Sequence, residues 1–112
     1  MEKKLKENEI ESSTGTVYQI KSVKMKYMKE KFLNNYMYLK TLGVMKVLNN
    51  YSDGEVIVKN FLTAVLDSEE IADKAIEELD SKAMDQIIKL TKTINEIEDE
   101  SEIKNEITQV NQ

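Results

Sequence analysis

The spacing of apolar residues predicts that most of this chain is helical. From residue 28 to residue 97, apolar side chains recur at intervals of three and four, which is the spacing of one helix face. Proline is absent, so no position forbids a long helix. The pattern predicts a mostly α fold, in which a short N-terminal strand or hairpin precedes a compact bundle of four to five short helices.

Residues 16–27 are predicted to be extended, because residues that favour strands are concentrated at their start. From Val23 onward, apolar and polar residues alternate regularly, whereas Tyr18 and Ile20 fall on the opposite parity. This change of phase indicates a bulge, a hairpin-like bend or an early change to helix. A single strand leaves half of its backbone groups unpaired, so we expect either a small hairpin or a homo-oligomer formed through this strand.

A first helix is predicted over residues 28–49. Gly43 lies inside it, and an interior glycine costs about 1 kcal/mol relative to alanine in a helix. Gly43 therefore marks either a break between two helices or a close helix crossing.

Three further helices each begin with a capping sequence. The second is predicted over residues 55–66, although its β-branched start leaves a short strand as an alternative. The third follows Ser68 and the fourth follows Asp80 or Ser81, because these side chains accept backbone N–H groups of the first helical turn. The residues expected to face the core are Val56, Ile57, Phe61, Leu62, Val65, Ile71, Ala72, Ala75, Ile76, Leu79, Ala83, Met84, Ile87, Ile88, Thr91 and Ile94.

Polarity divides the chain into three parts. Residues 1–14 are polar and predicted to be a flexible tail, residues 15–97 a single helical domain, and residues 98–112 an acidic tail. No window approaches the roughly 20 apolar residues of a membrane span, and the start lacks the apolar core of a secretory signal. We therefore expect a soluble protein that stays in the compartment where it is made and makes no membrane contact.

Charge is distributed unevenly between the two halves of the chain. Residues 1–60 carry 11 lysines and 7 acidic residues, a formal charge of +4, whereas residues 61–112 carry 5 lysines and 14 acidic residues, a formal charge of −9. The halves are expected to attract each other or partners of different charge.

Cysteine, histidine and arginine are all absent. Their absence removes disulfides, thiolate metal sites, the commonest general base and the commonest transition-metal ligand. We therefore expect a protein that is not an enzyme, with no catalytic residue, no metal site and no cofactor.

Two charged clusters have ordinary explanations. The lysines among residues 21–31, with nearby aromatic side chains, resemble a nucleic-acid patch, but the lack of arginine and the acidic balance of the chain favour a solvated face instead. The acidic run over residues 96–102 lacks the glycine that a calcium loop needs at its tight turn, which favours a solvated tail. The five lysines are Lys21, Lys24, Lys26, Lys29 and Lys31.

Tyrosine and methionine are the more informative residues for binding. Both are enriched in the cores of protein–protein interfaces, and methionine adapts to varied partners. The alternative is that Tyr36 and Met45 are core residues. The candidate partner-binding residues are Tyr18, Tyr27, Tyr36, Met37, Tyr38, Met45 and Tyr51.

The order of these elements resembles a known family. A strand after a glycine turn at residues 15–21, a lysine-rich stretch at 24–30 and acid-capped helices starting near Asp53, Ser68 and Asp80 are similar to the small tail assembly chaperones of long-tailed phages and prophages of low-GC Gram-positive bacteria. The likeness covers residues 15–97 and is one of length, composition and element order. The family has no strict motif, so it assigns no residue a role.

The resemblance implies a non-enzymatic helical protein that binds the tape measure protein, keeps that long apolar helix soluble and helps to recruit tail tube subunits. Two alternatives remain open at this point. One is a structural component of the virion, such as a head-completion or tail subunit, which the predicted lone strand favours. The other is a small nucleic-acid-binding regulator, which the lysine cluster favours.

Overall fold

The predicted mostly α fold with an N-terminal hairpin is confirmed. The computed structural model describes residues 5–29 and 31–97. Within these ranges, two strands precede six helices, the first of which is a single turn. The elements are β1 (Glu9–Glu11), β2 (Val17–Gln19), α1 (Met25–Met28), α2 (Phe32–Leu42), α3 (Val44–Asn50), α4 (Gly54–Leu66), α5 (Glu69–Glu78) and α6 (Ser81–Asn95).

Helix α4 lies at the centre of the core. It packs against α2, α3 and α5, because its apolar residues occupy more than one stripe and need cover on several sides. The ring of Phe61 stacks on Phe32 of α2, with centroids 5.8 Å apart and planes 5° from parallel. Burying one large apolar side chain contributes about 1.5–3 kcal/mol, so these contacts hold the helices together. The buried residues of α4 are Gly54, Ile57, Val58, Phe61, Leu62, Ala64, Val65 and Leu66.

Gly43 breaks the first predicted helix into α2 and α3. Its backbone adopts φ 88° and ψ 154°, a region that glycine reaches without the steric cost of a Cβ. The Gly43 N–H donates to the carbonyl of Leu39 at 2.9 Å and so ends α2. Of the two predictions for Gly43, a break between two helices is therefore confirmed, and α3 packs against α4.

The predicted caps of the last two helices are confirmed. Ser68 Oγ accepts the N–H of Ile71 at 3.1 Å, and Asp80 Oδ1 accepts the N–H of Ala83 at 2.8 Å. Asp53 precedes α4 without a side-chain capping bond. The strand considered for the β-branched start of α4 does not form, because burial of the helix outweighs the weak local preference of Val and Ile.

The predicted N-terminal tail is wrong where it includes β1. Residues Glu9–Glu11 pair antiparallel with Val17–Gln19, and Ile10 lies opposite Tyr18. Both of these side chains are buried, so the hairpin covers part of the core. The extended stretch is shorter than predicted, because α1 already begins at Met25.

Two further predictions concern the ends of the chain and membrane-spanning helices. Residues 1–4 and the acidic tail at residues 98–112 lie outside the described residues. Within residues 5–29 and 31–97, no helix has the length and apolar character needed to cross a bilayer.

Gly54→Ala is expected to destabilise the protein by about 1–3 kcal/mol, although alanine is the better helix former. A Cβ at this position would lie 2.2 Å from the carbonyl oxygen of Val47 and 2.9 Å from the Cα of Leu48, so α3 and α4 would have to separate. Urea unfolding measures the change. Asn60→Ala, at an exposed position of the same helix, is the control and should be neutral or slightly stabilising. A Gly54→Ala variant as stable as wild type would contradict this close approach.

Candidate functional site: the α3–α5 groove

An apolar groove runs between α3 and α5, with α4 as its floor. Met45 and Leu48 of α3 form one wall, and Ile76 with Leu79, which follows α5, forms the other. Val58 and Leu62 of α4 lie at the bottom. The groove encloses about 570 Å³, within the range of about 300–1,000 Å³ typical of ligand clefts. We call this surface the α3–α5 groove.

The groove exists because α3 and α5 bury narrow faces against α4 and leave larger side chains outside. On α3, Val44 and Val47 are buried, whereas Met45 is 58% exposed. On α5, the buried residues are Ala72 and Ala75. Small side chains let a helix approach its neighbour closely but cover little of it, so apolar residues beside them remain in contact with solvent.

The prediction that Val56, Ile71 and Ile76 face the core is wrong. Their exposed fractions are 57%, 43% and 44%, respectively. The smaller neighbours Ala72 and Ala75 take the core positions of α5, which leaves the two isoleucines at the edges of the buried stripe. Ile76 lies in the α3–α5 groove, whereas Ile71 lies in a separate depression beside β2.

The rim of the groove is mainly acidic. Among the described residues that line it, Glu55, Asp73 and Asp80 are acidic and Lys59 is basic. The Nζ of Lys59 lies 3.1 Å from Glu69 Oε1 and 3.3 Å from Asp73 Oδ1, and these hydrogen bonds raise the pKa of Lys59. An apolar floor with a charged rim is the usual anatomy of a protein-binding surface.

A second, smaller surface is formed by three of the predicted residues. The rings of Tyr38 and Tyr51 have centroids 5.7 Å apart at an angle of 49°, and Met37 lies beside them in a depression of about 420 Å³. Both tyrosines are exposed, and Met37 is half-buried. These three residues remain available for contact with a partner.

Two of the predicted contact residues are instead part of the core. Tyr36 is fully buried, its ring is stacked against Phe32, and burial raises the pKa of its hydroxyl. Tyr18 is 2% exposed, and its hydroxyl donates a hydrogen bond to the carboxylate of Glu78. Burial and this hydrogen bond both raise the pKa of Tyr18, whereas the bond lowers the pKa of Glu78. Their assignment to a partner surface is therefore corrected.

Tyr27 joins the N-terminal segment to the end of α4. Its hydroxyl donates to Asp67 Oδ1 at 3.0 Å, and Lys24 Nζ lies 2.6 Å from the other oxygen of that carboxylate. These contacts lower the pKa of Asp67 and raise that of Lys24. The ammonium of Lys26 lies 4.8 Å from the centroid of the Tyr27 ring. Part of the lysine cluster thus has a structural role.

Of the predicted contact residues, only Met45 lies in the α3–α5 groove. Sequence reasoning missed Leu48, Ile76 and Leu79 as groove residues, because the same helical spacing also describes core positions. The sequence did contain one signal. Helix α5 has more large apolar residues than its buried face can hold, because Ala72 and Ala75 already occupy that face.

Comparison of the chain with protein-family models, curated proteins and solved structures gives no match. Within residues 5–29 and 31–97, no three His, Cys, Asp or Glu side chains are grouped so that they could hold a metal ion.

Tyr36→Phe and Tyr18→Phe are expected to differ in their effect on stability. The Tyr36 hydroxyl is buried without a hydrogen-bond partner among the described residues, so its removal should leave stability unchanged or raise it by up to about 1 kcal/mol. The Tyr18 hydroxyl donates to Glu78, so its removal should lower the urea midpoint. Each variant loses one oxygen atom from a buried tyrosine, which makes them controls for each other. The reverse order of midpoints would contradict the assigned contacts.

Proposed function

We propose that this protein is a non-enzymatic phage tail assembly chaperone. In this role it binds the tape measure protein and tail tube subunits during tail morphogenesis in the cytoplasm of the host bacterium. The observation that carries the proposal is the α3–α5 groove, an apolar surface with exposed walls and a charged rim. The resemblance in element order over residues 15–97 supplies the class of partner.

The groove suits a chaperone because its partner must be apolar before assembly. A long helix with an apolar face aggregates in water unless that face is covered. The groove offers Met45 and Ile76 as solvent-exposed contacts, and binding would remove apolar surface of both molecules from water. Methionine has three rotatable bonds and fits contacts of varied shape, which favours temporary binding along a repetitive partner.

The structural-subunit alternative has lost the observation that favoured it. That observation was a lone strand at the N-terminus, which would pair with a neighbour's sheet. Since β2 pairs with β1 in the same chain, an unpaired strand no longer argues for a neighbouring subunit or for a homo-oligomer.

Co-expression with the tape measure protein of the same phage or prophage tests the proposal. The expected result is that the tape measure protein becomes soluble and is recovered in a complex with this chain. Expression of the tape measure protein alone is the control and should give insoluble material. If the partner remains insoluble in both cases and no complex is recovered, the proposed function is wrong.

Mass spectrometry of purified particles separates the chaperone from the structural subunit. A chaperone leaves after assembly, so its peptides should be absent from particles whose tube and tape measure proteins are detected. Stoichiometric recovery of this chain with the particle would instead identify a virion component.

A further inference from the structure

We propose that the α3–α5 groove binds an amphipathic helix whose apolar face is flanked by lysine or arginine. This specificity rests on the proposed function, since it describes the segment of the partner that the chaperone recognises. It follows from the shape of the groove, from the composition of its walls and from the charge of its rim.

The walls of the groove favour a helix as the bound segment. Most of them are side chains of helices, and Leu79 directly follows α5. None of the described residues that line the groove belongs to a strand, so an extended peptide would find no strand edge for its own N–H and C=O groups. A helix satisfies these groups internally before it enters an apolar groove. Helix-in-groove recognition places apolar anchors at positions i, i+3 or i+4, and i+7 of the bound segment.

The spacing of the wall residues matches this form of recognition. Met45 and Leu48 are three residues apart on α3, so their wall presents two apolar side chains separated by about 4.5 Å along the helix axis. The other wall presents Ile76 of α5 and its C-cap residue Leu79. The buried floor residues Val58 and Leu62 lie one helical turn apart on α4. Two walls and a floor of this length contact about one turn of the apolar stripe of a bound helix.

The charges at the rim of the groove determine which residues are favoured beside the apolar stripe of the bound helix. Lys59 lies close to Glu69 and Asp73, whereas Glu55 lies one turn earlier on α4 and Asp80 follows α5. Both carboxylates line the groove together with Asp73. A partner with lysine or arginine beside its apolar stripe complements this rim, and one with glutamate or aspartate meets like charge.

Charge also argues against the acidic tail of this chain as the occupant. Its sequence at residues 98–112 has Ile103, Ile107 and Val110 at helical spacing, but it also has five acidic residues and one lysine. An acidic segment beside Glu55 and Asp80 is disfavoured by electrostatic repulsion. A separate, basic partner avoids this cost.

Fluorescence anisotropy with three designed peptides tests the proposal on the full chain. All are labelled 18-residue peptides: one has leucine at i, i+3, i+4 and i+7 positions with lysine flanks, one has the same leucines with glutamate flanks, and one is the lysine peptide in scrambled order. The lysine-flanked helix should bind at least about tenfold more tightly than either of the others.

Ile76→Gln and Ile71→Gln form a matched pair of variants. Both isoleucines lie on α5 with almost the same exposed fraction, 44% and 43%, but only Ile76 lies in the groove. Ile76→Gln should weaken binding of the lysine-flanked peptide about tenfold, as expected for a central apolar contact, and Ile71→Gln should leave binding unchanged. Equal urea midpoints for the two variants exclude unfolding as the cause.

Glu55→Gln and Glu70→Gln test the charge of the rim. Both residues are exposed and lie in the first turn of a helix, so the loss of favourable helix-dipole interaction is the same in each. Glu55→Gln should weaken binding of the lysine-flanked peptide about threefold at low salt and reduce its advantage over the glutamate-flanked peptide. Glu70→Gln should change neither quantity.

Three outcomes would overturn the inference. The first is equal binding of the scrambled and helical lysine peptides, which would show attraction by charge alone. The second is an equal effect of Ile76→Gln and Ile71→Gln. The third is a wild-type dimer in sedimentation that Ile76→Gln dissociates, which would show that a second copy covers the groove.

The co-expression experiment and the peptide measurements test separate claims, so either claim can be wrong while the other stands. If the tape measure protein forms a complex that Ile76→Gln does not weaken, the chaperone role stands and the groove assignment is wrong. If the lysine-flanked peptide binds as expected but no tape measure complex forms, the groove is a helix-binding site and the phage role is wrong.

Discussion

Covering α4 is the constraint on which the rest of this structure depends. A helix that is apolar on several sides has to be buried, and α4 has Phe61, Leu62 and Val65 fully buried on its surface. Helices α2, α3 and α5 all pack against it. The stacked rings of Phe32 and Phe61 fix α2, while Gly54 allows the end of α3 to approach the start of α4. The packing of these helices on α4 determines where the other elements can lie.

The α3–α5 groove is the place where this cover is incomplete. Ala72 and Ala75 bring α5 close to α4 but are too small to extend across it, and α3 covers the other side with Val44 and Val47. Larger apolar residues on both helices then face the gap between them. Met45 and Ile76 remain exposed at this gap, which is the surface that we propose a partner covers.

Local sequence signals predicted local structure well. The caps at Ser68 and Asp80 form as expected, because a capping side chain interacts with the backbone only three residues later. Gly43 lies inside the helical apolar pattern of residues 28–49, and α2 ends there. The first strand of the β1–β2 hairpin was not predicted, because Glu9–Glu11 has little strand preference. Pairing with β2 and the burial of Ile10 hold it in place.

The candidate contact residues were predicted less well, for a physical reason. Residue type distinguishes apolar from polar surfaces, but it does not say which of several apolar stripes a neighbouring helix will cover. Tyr36 therefore became a core residue, Tyr38 an exposed one and Met45 part of a groove whose opposite wall is contributed by Ile76, 31 positions later. Only the packing of α3 and α5 on α4 places these side chains together.

Methyl NMR of the full chain during titration with tape measure protein tests the central claim most directly. The methyl groups of Met45, Leu48 and Ile76 should shift together at saturating partner, while those of Val56 and Ile71, which are exposed outside the groove, should not. Shifts at Val56 and Ile71 without shifts in the groove would contradict the claim that the gap over α4 is the surface that binds.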